Sequence, residues 1–427
     1  MELKSLLVLT AVLMMTIGIK MDCINFTCQG ESHKATNKVC QDYSYSKIYE
    51  NGVAIAIVCD GHGGKRYFRS DIGSRLAGEV TEKNVSIFIN SIGSDLFEGK
   101  PYTSNTAIAT QISNAQFEKE SLIDKTFRQL FSSIIYDWNT QIIEHAKNTP
   151  LTEQELSEME KNWIEDFNNG ISLEKVYGCT LMAYIQTPSY WFAFHIGDGK
   201  CLSFDSEAKC KEPIPWDERC FLNKTTSLCD STAIDEFRYC FQGNGEFPIA
   251  IFLGSDGMDD SFGADENLVN FYVQIAKEIV QTDRENVVSE IEQTLPQLSK
   301  IGSKDDMSVA IVYNKEQLTI AYPKFLAWQI DSTQKSISAI NKKIEEKKKR
   351  ISDIEKIEVV TQKMTIEYNY AFTDVKKLYQ EKSKLVKRID ILSQELYGEN
   401  YTPYMDEIGL NFDSDNLTEK KDINSEQ

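Results

Sequence analysis

The chain predicts an α+β fold built on antiparallel sheets, with a separate helical extension at its C-terminal end. Three observations carry this. Strand-like and helical stretches mix between residues 42 and 313 without the regular alternation of a parallel βαβ sheet, so antiparallel pairing is the better inference. Three of the strand-like runs end in an Asp-Gly step: Val53–Cys59 before Asp60-Gly61, Trp191–Ile196 through Gly197 before Asp198-Gly199, and Pro248–Leu253 through Gly254 and Ser255 before Asp256-Gly257. Beyond about 318 the composition turns to Lys, Glu and Ile, and residues 324–397 hold neither glycine nor proline.

At the N-terminus, Ser5–Ile19 is an apolar run behind Lys4, close to a signal-peptide core and short for a membrane span. It has one basic residue before it, no small-x-small cleavage site after it, and Lys20 where cleavage would fall. The expectation is that translation begins at Met21 and that 1–20 is upstream sequence, with an exported or anchored protein as the alternative. Against 46 basic residues stand 65 acidic ones, a net charge of −19, which disfavours nucleic acid or an anionic membrane as partner and suits divalent cations. Of ten cysteines, those at 201, 210, 220, 229 and 240 cluster without a C-x-x-C pair, while Cys59 and Cys179 lie on apolar runs. Reduced core thiols and a cytoplasmic location are favoured over a disulfide framework.

In chain order, Asp42–Tyr49 alternates as a strand and turns at Glu50, Asn51 and Gly52 into 53–59, seven apolar residues that read as a strand buried on both faces. Residues 70–94 read as a helix. Leu122, Phe127, Leu130, Phe131, Ile134, Ile135, Trp138 and Ile142 recur at helical spacing as a core-facing stripe. Thr152 with Glu155 is a capping box. Strands follow at 179–185 and 190–205, then an irregular insertion at 207–246 with Pro213, Pro215 and the cysteine cluster. Helices at 265–282 and 285–296 precede a last strand, Met307–Tyr313, entered directly from Asp305 and Asp306.

In the extension, Ile330, Ile337, Ile344 and Ile351 fall seven apart, with Ile340 and Ile354 in the second seam position. A second seam of Leu378, Leu385 and Leu392 with Val375, Ile389 and Leu396 is one position out of phase, which places a break between about 358 and 372. The slip favours an intramolecular helical hairpin, and hence a monomer, over a rod-like coiled coil that self-associates. The organisation expected is 1–20 apolar stretch, 21–317 globular domain, 318–400 helical extension, and 401–427 acidic tail, disordered over its last fifteen residues.

Chemistry concentrates at the strand ends. Asp60 leaves the core into Gly61-His62-Gly63-Gly64, a turn whose missing side chains let backbone approach whatever the carboxylate holds. An Asp-Gly step is also a common hairpin turn, and Asp198-Gly199, between two strand-like runs, reads equally well as one. The other two steps lead into loop and helix, so a hairpin explains them poorly. No C-x5-R, G-x-S-x-G or glycine-rich phosphate loop is present. Of the four histidines, His145 and His195 read as structural, whereas His62 is fixed between Asp60-Gly61 and Gly63-Gly64.

DGHGG (60–64), GCT (178–180), GDGK (197–200), SDGMDD (255–260) and KDDMSV (304–309) stand in the order and rough spacing of the PPM/PP2C family of metal-dependent serine/threonine protein phosphatases. The chain resembles that family over about residues 24–315. The resemblance implies a four-layer αββα sandwich, two antiparallel sheets flanked by helices. It implies hydrolysis of phosphoserine and phosphothreonine in proteins by a water bridging two Mn²⁺ or Mg²⁺ ions about 4 Å apart. Asp60 then bridges the ions, the Gly61 carbonyl binds one, and Asp42, Asp256 and Asp305 complete the shell. Asp198 and Asp260, with Asp256, match the positions of a third, weaker ion, although Asp260 also reads as a helix N-terminal acid. His62 corresponds to the histidine that protonates the leaving alkoxide, or to one that orders the loop. Residues 207–246 correspond to a variable flap that helps choose substrates. The family's phosphate-gripping arginine, five residues before Asp42, is replaced by Asn37, which leaves Lys34, Lys38, Lys65, Arg66 and Arg69 as stand-in cations. A weakly active phosphatase-like scaffold working through its coiled coil is the alternative that Asn37 keeps open.

Overall fold

In a computed structural model describing residues 20–105, 114–221, 224–357 and 361–404, the apolar runs become two antiparallel sheets. The N-terminal run up to Ile19 and the tail beyond Tyr404 lie outside the described residues. The strands are β1 (Met21–Cys28), β2 (Tyr43–Ile48), β3 (Ala54–Cys59), β4 (Thr103–Ser104), β5 (Leu181–Gln186), β6 (Trp191–Ile196), β7 (Lys200–Phe204), β8 (Cys210–Lys211), β9 (Arg238–Gln242), β10 (Ala250–Gly254) and β11 (Met307–Asn314). One sheet runs β1-β11-β10-β7-β8 and the other β2-β3-β5-β6-β9-β4.

The helices are α1 (Glu31–Ala35), α2 (Ser70–Ser91), α3 (Asn114–Asn148), α4 (Glu153–Glu158), α5 (Lys161–Asn168), α6 (Leu173–Val176), α7 (Ala233–Glu236), α8 (Asp256–Asp260), α9 (Asp265–Gln281), α10 (Arg284–Ile301), α11 (Lys315–Glu355) and α12 (Gln362–Tyr397). Among the described residues no helix is long and apolar enough to cross a membrane, and all ten cysteines are free thiols.

The unbroken apolar character of β3 has a direct cause, because successive side chains of a strand point to opposite faces and here both faces are covered. Ala54, Ala56 and Val58 pack between the sheets with Met182, Tyr184, Trp191, Ala193, Ile251, Leu253, Ala310 and Val312. Ile55, Ile57 and Cys59 point outward under α2 and α3, into an aromatic layer around Phe127, Phe131, Trp138, Phe192 and Phe194. Gly73 lets α2 come close to the chain beneath it, since a Cβ there would lie 1.8 Å from the Tyr177 carbonyl oxygen. Trp138 of α3 donates to the Gly73 carbonyl at 3.0 Å. On the other sheet α9 packs through Tyr272, stacked on Phe252 at 4.5 Å. The order of layers is helix, sheet, sheet, helix.

Several expectations need correction. Leu122 is 57% exposed, so the core stripe of α3 begins at Ile123 and Phe127. The strands before and after Asp198-Gly199 do not pair: β6 belongs to one sheet and β7 to the other, and the step carries the chain between them. The hairpin reading of Asp198 therefore falls. β1 and β9 form where no strand was expected, β9 inside the supposedly irregular insertion.

The described chain divides into two units between Ala321 and Tyr322, within α11. In the second unit α11 and α12 form an antiparallel hairpin. Leu326, Ile330 and Ile337 pack on Val386, Ile389 and Leu392. Ile340, Ile344, Ile351 and Ile354 pack on Tyr368, Phe372, Val375 and Tyr379. The break falls between Glu355 and Gln362, at the start of the expected window and before most of it, where the Thr361 hydroxyl caps α12 by accepting from the Met364 amide at 3.3 Å. The seam of α12 follows Tyr368, Val375, Tyr379, Val386 and Ile389, while Leu378 and Leu385 flank it, partly buried.

Candidate active site

Antiparallel pairing gathers the strand-end carboxylates. The start of β2 lies beside the end of β3, Tyr43 opposite Cys59, so Asp42 and Asp60 emerge together. The end of β10 lies beside the start of β11, Gly254 opposite Val309, which does the same for Asp256 and Asp305. Asp60 is clamped to the strand next door: its carbonyl accepts from the Thr180 amide at 2.8 Å and its amide donates to Thr180 Oγ1 at 3.0 Å. The His62 amide continues this with a bond to the Gly178 carbonyl at 3.1 Å. Gly61 is required by packing, since a Cβ there would come within 2.4 Å of the Gln41 carbonyl oxygen.

The carboxylates act on one another. Burial, then the charges of Asp306 and Asp256, hold Asp42 well above the usual carboxylate range. Burial, then Asp256 and Asp42, does the same for Asp60, whose carboxyl also hydrogen-bonds that of Asp256. Asp256 is raised by burial and by Asp198, Asp305 and Asp260. Asp198 is raised chiefly by burial, with Asp260 adding to it, and Asp260 by burial, Asp259 and Asp305. The six sequence-predicted carboxylates thus act on one another electrostatically, while the ligand atoms that lie within 4.8 Å of one another among the described residues are those of His33, Asp305 and Asp306. Asp42 Oδ2 is buried and accepts no hydrogen bond among the described residues. A buried, unpartnered carboxylate oxygen among mutually repelling carboxylates is a donor set that fits hard divalent cations, which oxygen ligands hold and which relieve the repulsion.

His62, in the turn that follows Asp60, is half-buried, its ring edge-on to Tyr67 at 4.8 Å. Its Nε2 lies 2.6 Å from Ser227 Oγ, and Ser227 donates its own hydrogen to the Cys179 carbonyl at 3.0 Å. The Ser227 hydroxyl also reaches Cys229 Sγ at 3.1 Å and accepts from the Cys229 amide at 3.3 Å. Burial pushes the imidazole down to about 4, with Asp230 opposing and Lys175 assisting. Lys175 of α6 and Asp230 are paired at 2.9 Å. Ser227, Lys175 and Asp230 escaped the sequence reading; the position of the 207–246 insertion hinted at Ser227 and Asp230, and nothing hinted at Lys175. His145, bonded to the Tyr177 hydroxyl at 2.8 Å, and His195, buried against Arg238 at 3.1 Å, are held by the fold.

Asn37 has a structural cause. Its φ of +54° is left-handed, and it closes α1 in a Schellman turn, with the Asn37 amide on the Lys34 carbonyl at 3.3 Å and the Lys38 amide on the His33 carbonyl at 2.9 Å. Asparagine adopts that conformation more readily than arginine. The next residue, Lys38, sends its ammonium to the Gly63 carbonyl at 3.2 Å, over the glycine turn. Arg69 is excluded as a phosphate ligand. Its guanidinium is buried, paired with Glu155 at 2.7 and 3.1 Å and bonded to the Thr149 and Pro150 carbonyls. Lys34 and Lys65 are exposed, and Arg66 helps line a small surface cleft with Phe68, Trp163 and Phe167.

A family model described as Protein phosphatase 2C matches residues 29–296, a span that ends short of Asp305. No curated protein matches the sequence significantly. Among solved structures, a serine/threonine phosphatase of S. agalactiae is similar at 18% identity, covering 69% of this chain and 99% of that one with a TM-score of 0.39. PppA, a regulatory component of T6SS in Pseudomonas aeruginosa, is similar at 15% identity over 69% and 97%, TM-score 0.40. A C. elegans sex determining protein is similar at 11% identity over 70% and 67%, TM-score 0.43. At such TM-scores these likenesses add nothing to the family match.

Proposed function

The chain belongs to the protein phosphatase 2C family of serine/threonine phosphatases, and we propose that it hydrolyses phosphoserine and phosphothreonine in proteins at the cluster of Asp42, Asp60, Asp256 and Asp305. The observation that carries this reading is the convergence of carboxylates from both sheets around the unpartnered Asp42 Oδ2. Asp42, Asp60, Asp256, Asp305 and the Gly61 carbonyl would hold two Mn²⁺ or Mg²⁺ ions, and Asp198 with Asp260 and Asp256 a third. When bound, such ions acidify water and draw negative charge from phosphoryl oxygens. Turnover of p-nitrophenyl phosphate and of a phosphothreonine peptide that appears with Mn²⁺ and vanishes with EDTA is the expected result. Its absence would sink the reading in favour of a scaffold acting through the helical hairpin.

The remaining work falls to the polypeptide. A phosphate dianion approaching so many carboxylates needs a cation, and Lys38 is the one of the five stand-ins bonded to the metal-binding turn. Its ammonium has two further donors to offer a phosphate oxygen. Lys38→Ala should raise both the KM for p-nitrophenyl phosphate and the Ki of inorganic phosphate by about tenfold, the scale of one charged hydrogen bond. An unchanged Ki would transfer the role to another cation, Arg66 first.

The hairpin supports a monomer, because the isoleucines of α11 are covered by α12 of the same chain. Sedimentation equilibrium should return the monomer mass for the full chain. Twice that mass, falling to the monomer value on truncation near residue 321, would mean that the hairpin pairs with a second copy.

A further inference from the structure

Asp306 is not among the residues proposed to hold metal, yet it is the most heavily engaged carboxylate near the centre. It is 3% exposed. Its Oδ1 accepts from the Gly30 amide at 2.6 Å and faces His33 Nδ1 at 2.9 Å, while Oδ2 accepts from the Gln41 amide at 2.6 Å. His33 is itself only 8% exposed, and its other ring nitrogen, Nε2, stands 3.9 Å from Asp305 Oδ1. The two residues tied by this carboxylate flank the centre in sequence: Gln41 precedes Asp42, and Asp306 follows Asp305. Gln41 extends the tie, since its side-chain amide donates to the His62 carbonyl at 3.1 Å and its own carbonyl accepts from Ser74 Oγ at 2.6 Å.

We propose that His33 and Asp306 form a buried brace that sets the backbone positions of Asp42 and Asp305 and thereby the affinity of the centre for divalent cations. The inference rests on the metal-centre reading above. Asp42 and Asp305 come from opposite sheets, so no backbone ladder fixes their separation, and the Asp306 carboxylate joins their neighbours in its place. A buried carboxylate holds such a position only while charged and fully hydrogen-bonded. The Gly30 and Gln41 amides hydrogen-bond the Asp306 carboxylate, and His33 Nδ1 faces it at 2.9 Å. His33 is a positioning residue: it acts on the ions through Asp306, not by binding them.

The test is titration calorimetry of the full chain with Mn²⁺, for wild type, His33→Ala and His33→Asn. The asparagine amide nitrogen can stand where Nδ1 stands, so it keeps the donor. Outer-sphere partners of metal ligands typically govern about 10- to 100-fold in affinity. His33→Ala should therefore bind the same number of ions at least about tenfold more weakly. His33→Asn should stay near wild type, and the half-activating Mn²⁺ concentration for p-nitrophenyl phosphate turnover should move with the calorimetric Kd. An unchanged Kd in His33→Ala, or an equal loss in His33→Asn, overturns the brace. Loss of one equivalent of Mn²⁺ overturns it too, in favour of His33 as a direct ligand. Thermal melting in EDTA checks that His33→Ala folds. If it does not, Asp306→Asn takes its place with the same expected and overturning results. A wild type that binds no Mn²⁺ would refute the centre itself, before any variant is compared.

Discussion

Asp60→Asn is expected to lower phosphatase turnover by about 10³-fold or more while the chain stays folded, the scale of losing a metal-activated nucleophile. Asp60 is the carboxylate that faces both Asp256 and Asp42, so an amide there removes the charge that both proposed ions share. The folding half of the prediction has a definite sign. Burial and neighbouring charge raise the Asp60 carboxyl above its unfolded value, so without metal the folded chain binds that proton more tightly than the unfolded chain does. The stability this contributes is present at low pH and is lost as pH rises from about 4, the unfolded value, through the raised folded one. Near neutral pH the metal-free wild type therefore carries a charge penalty that Asn removes. In EDTA, Asp60→Asn should melt no lower than wild type, and its advantage should grow as pH rises through that window. Retention of more than a tenth of the turnover, or a lower melting temperature in EDTA at pH 7, would remove Asp60 from the centre.

The carboxylates could be read from the sequence because each follows a strand whose character is set locally. Val53–Cys59 is apolar throughout since both its faces are covered, and a chain leaving such a strand must change character at once, which makes Asp60 conspicuous. Asp198 was ambiguous for a reason equally physical. Pairing of β6 with β7 is a question of which sheet each joins, and nothing within residues 190–205 answers it. β1 went unseen because neither face of this edge strand is continuously apolar, Asn25 and Thr27 interrupting one and Asp22 the other, and its place is fixed by β11, nearly three hundred residues away. The partners of the site share that property. Ser227 reaches His62, and Asp306 reaches Gly30 and Gln41, only after the fold has brought distant segments together. The hairpin was legible in outline from its heptads, but its seam was shifted, because tyrosine and phenylalanine fill positions that leucine spacing alone assigned to Leu378 and Leu385.

His62→Ala should reduce hydrolysis of a phosphothreonine peptide by about 10²-fold or more, the lower range of general acid–base catalysis, and reduce p-nitrophenyl phosphate hydrolysis far less. An alkoxide leaves only with a proton, whereas a nitrophenolate leaves without one. At rest the imidazole is neutral at pH 7, since burial pushes it down to about 4. Its Nε2 is bonded to the Ser227 hydroxyl at 2.6 Å. If His62 is the leaving-group acid, the phosphate supplies what protonation needs, since a dianion seated beside the ring would stabilise imidazolium. An acid of this kind would be armed by its substrate, since burial and Lys175 disfavour imidazolium without one. Ser227→Ala removes the hydroxyl that orients the imidazole and should reproduce the same substrate dependence at a smaller size, about tenfold on the peptide. Equal losses on both substrates in His62→Ala would show that the ring only orders the glycine turn, and the proton would have to come from elsewhere.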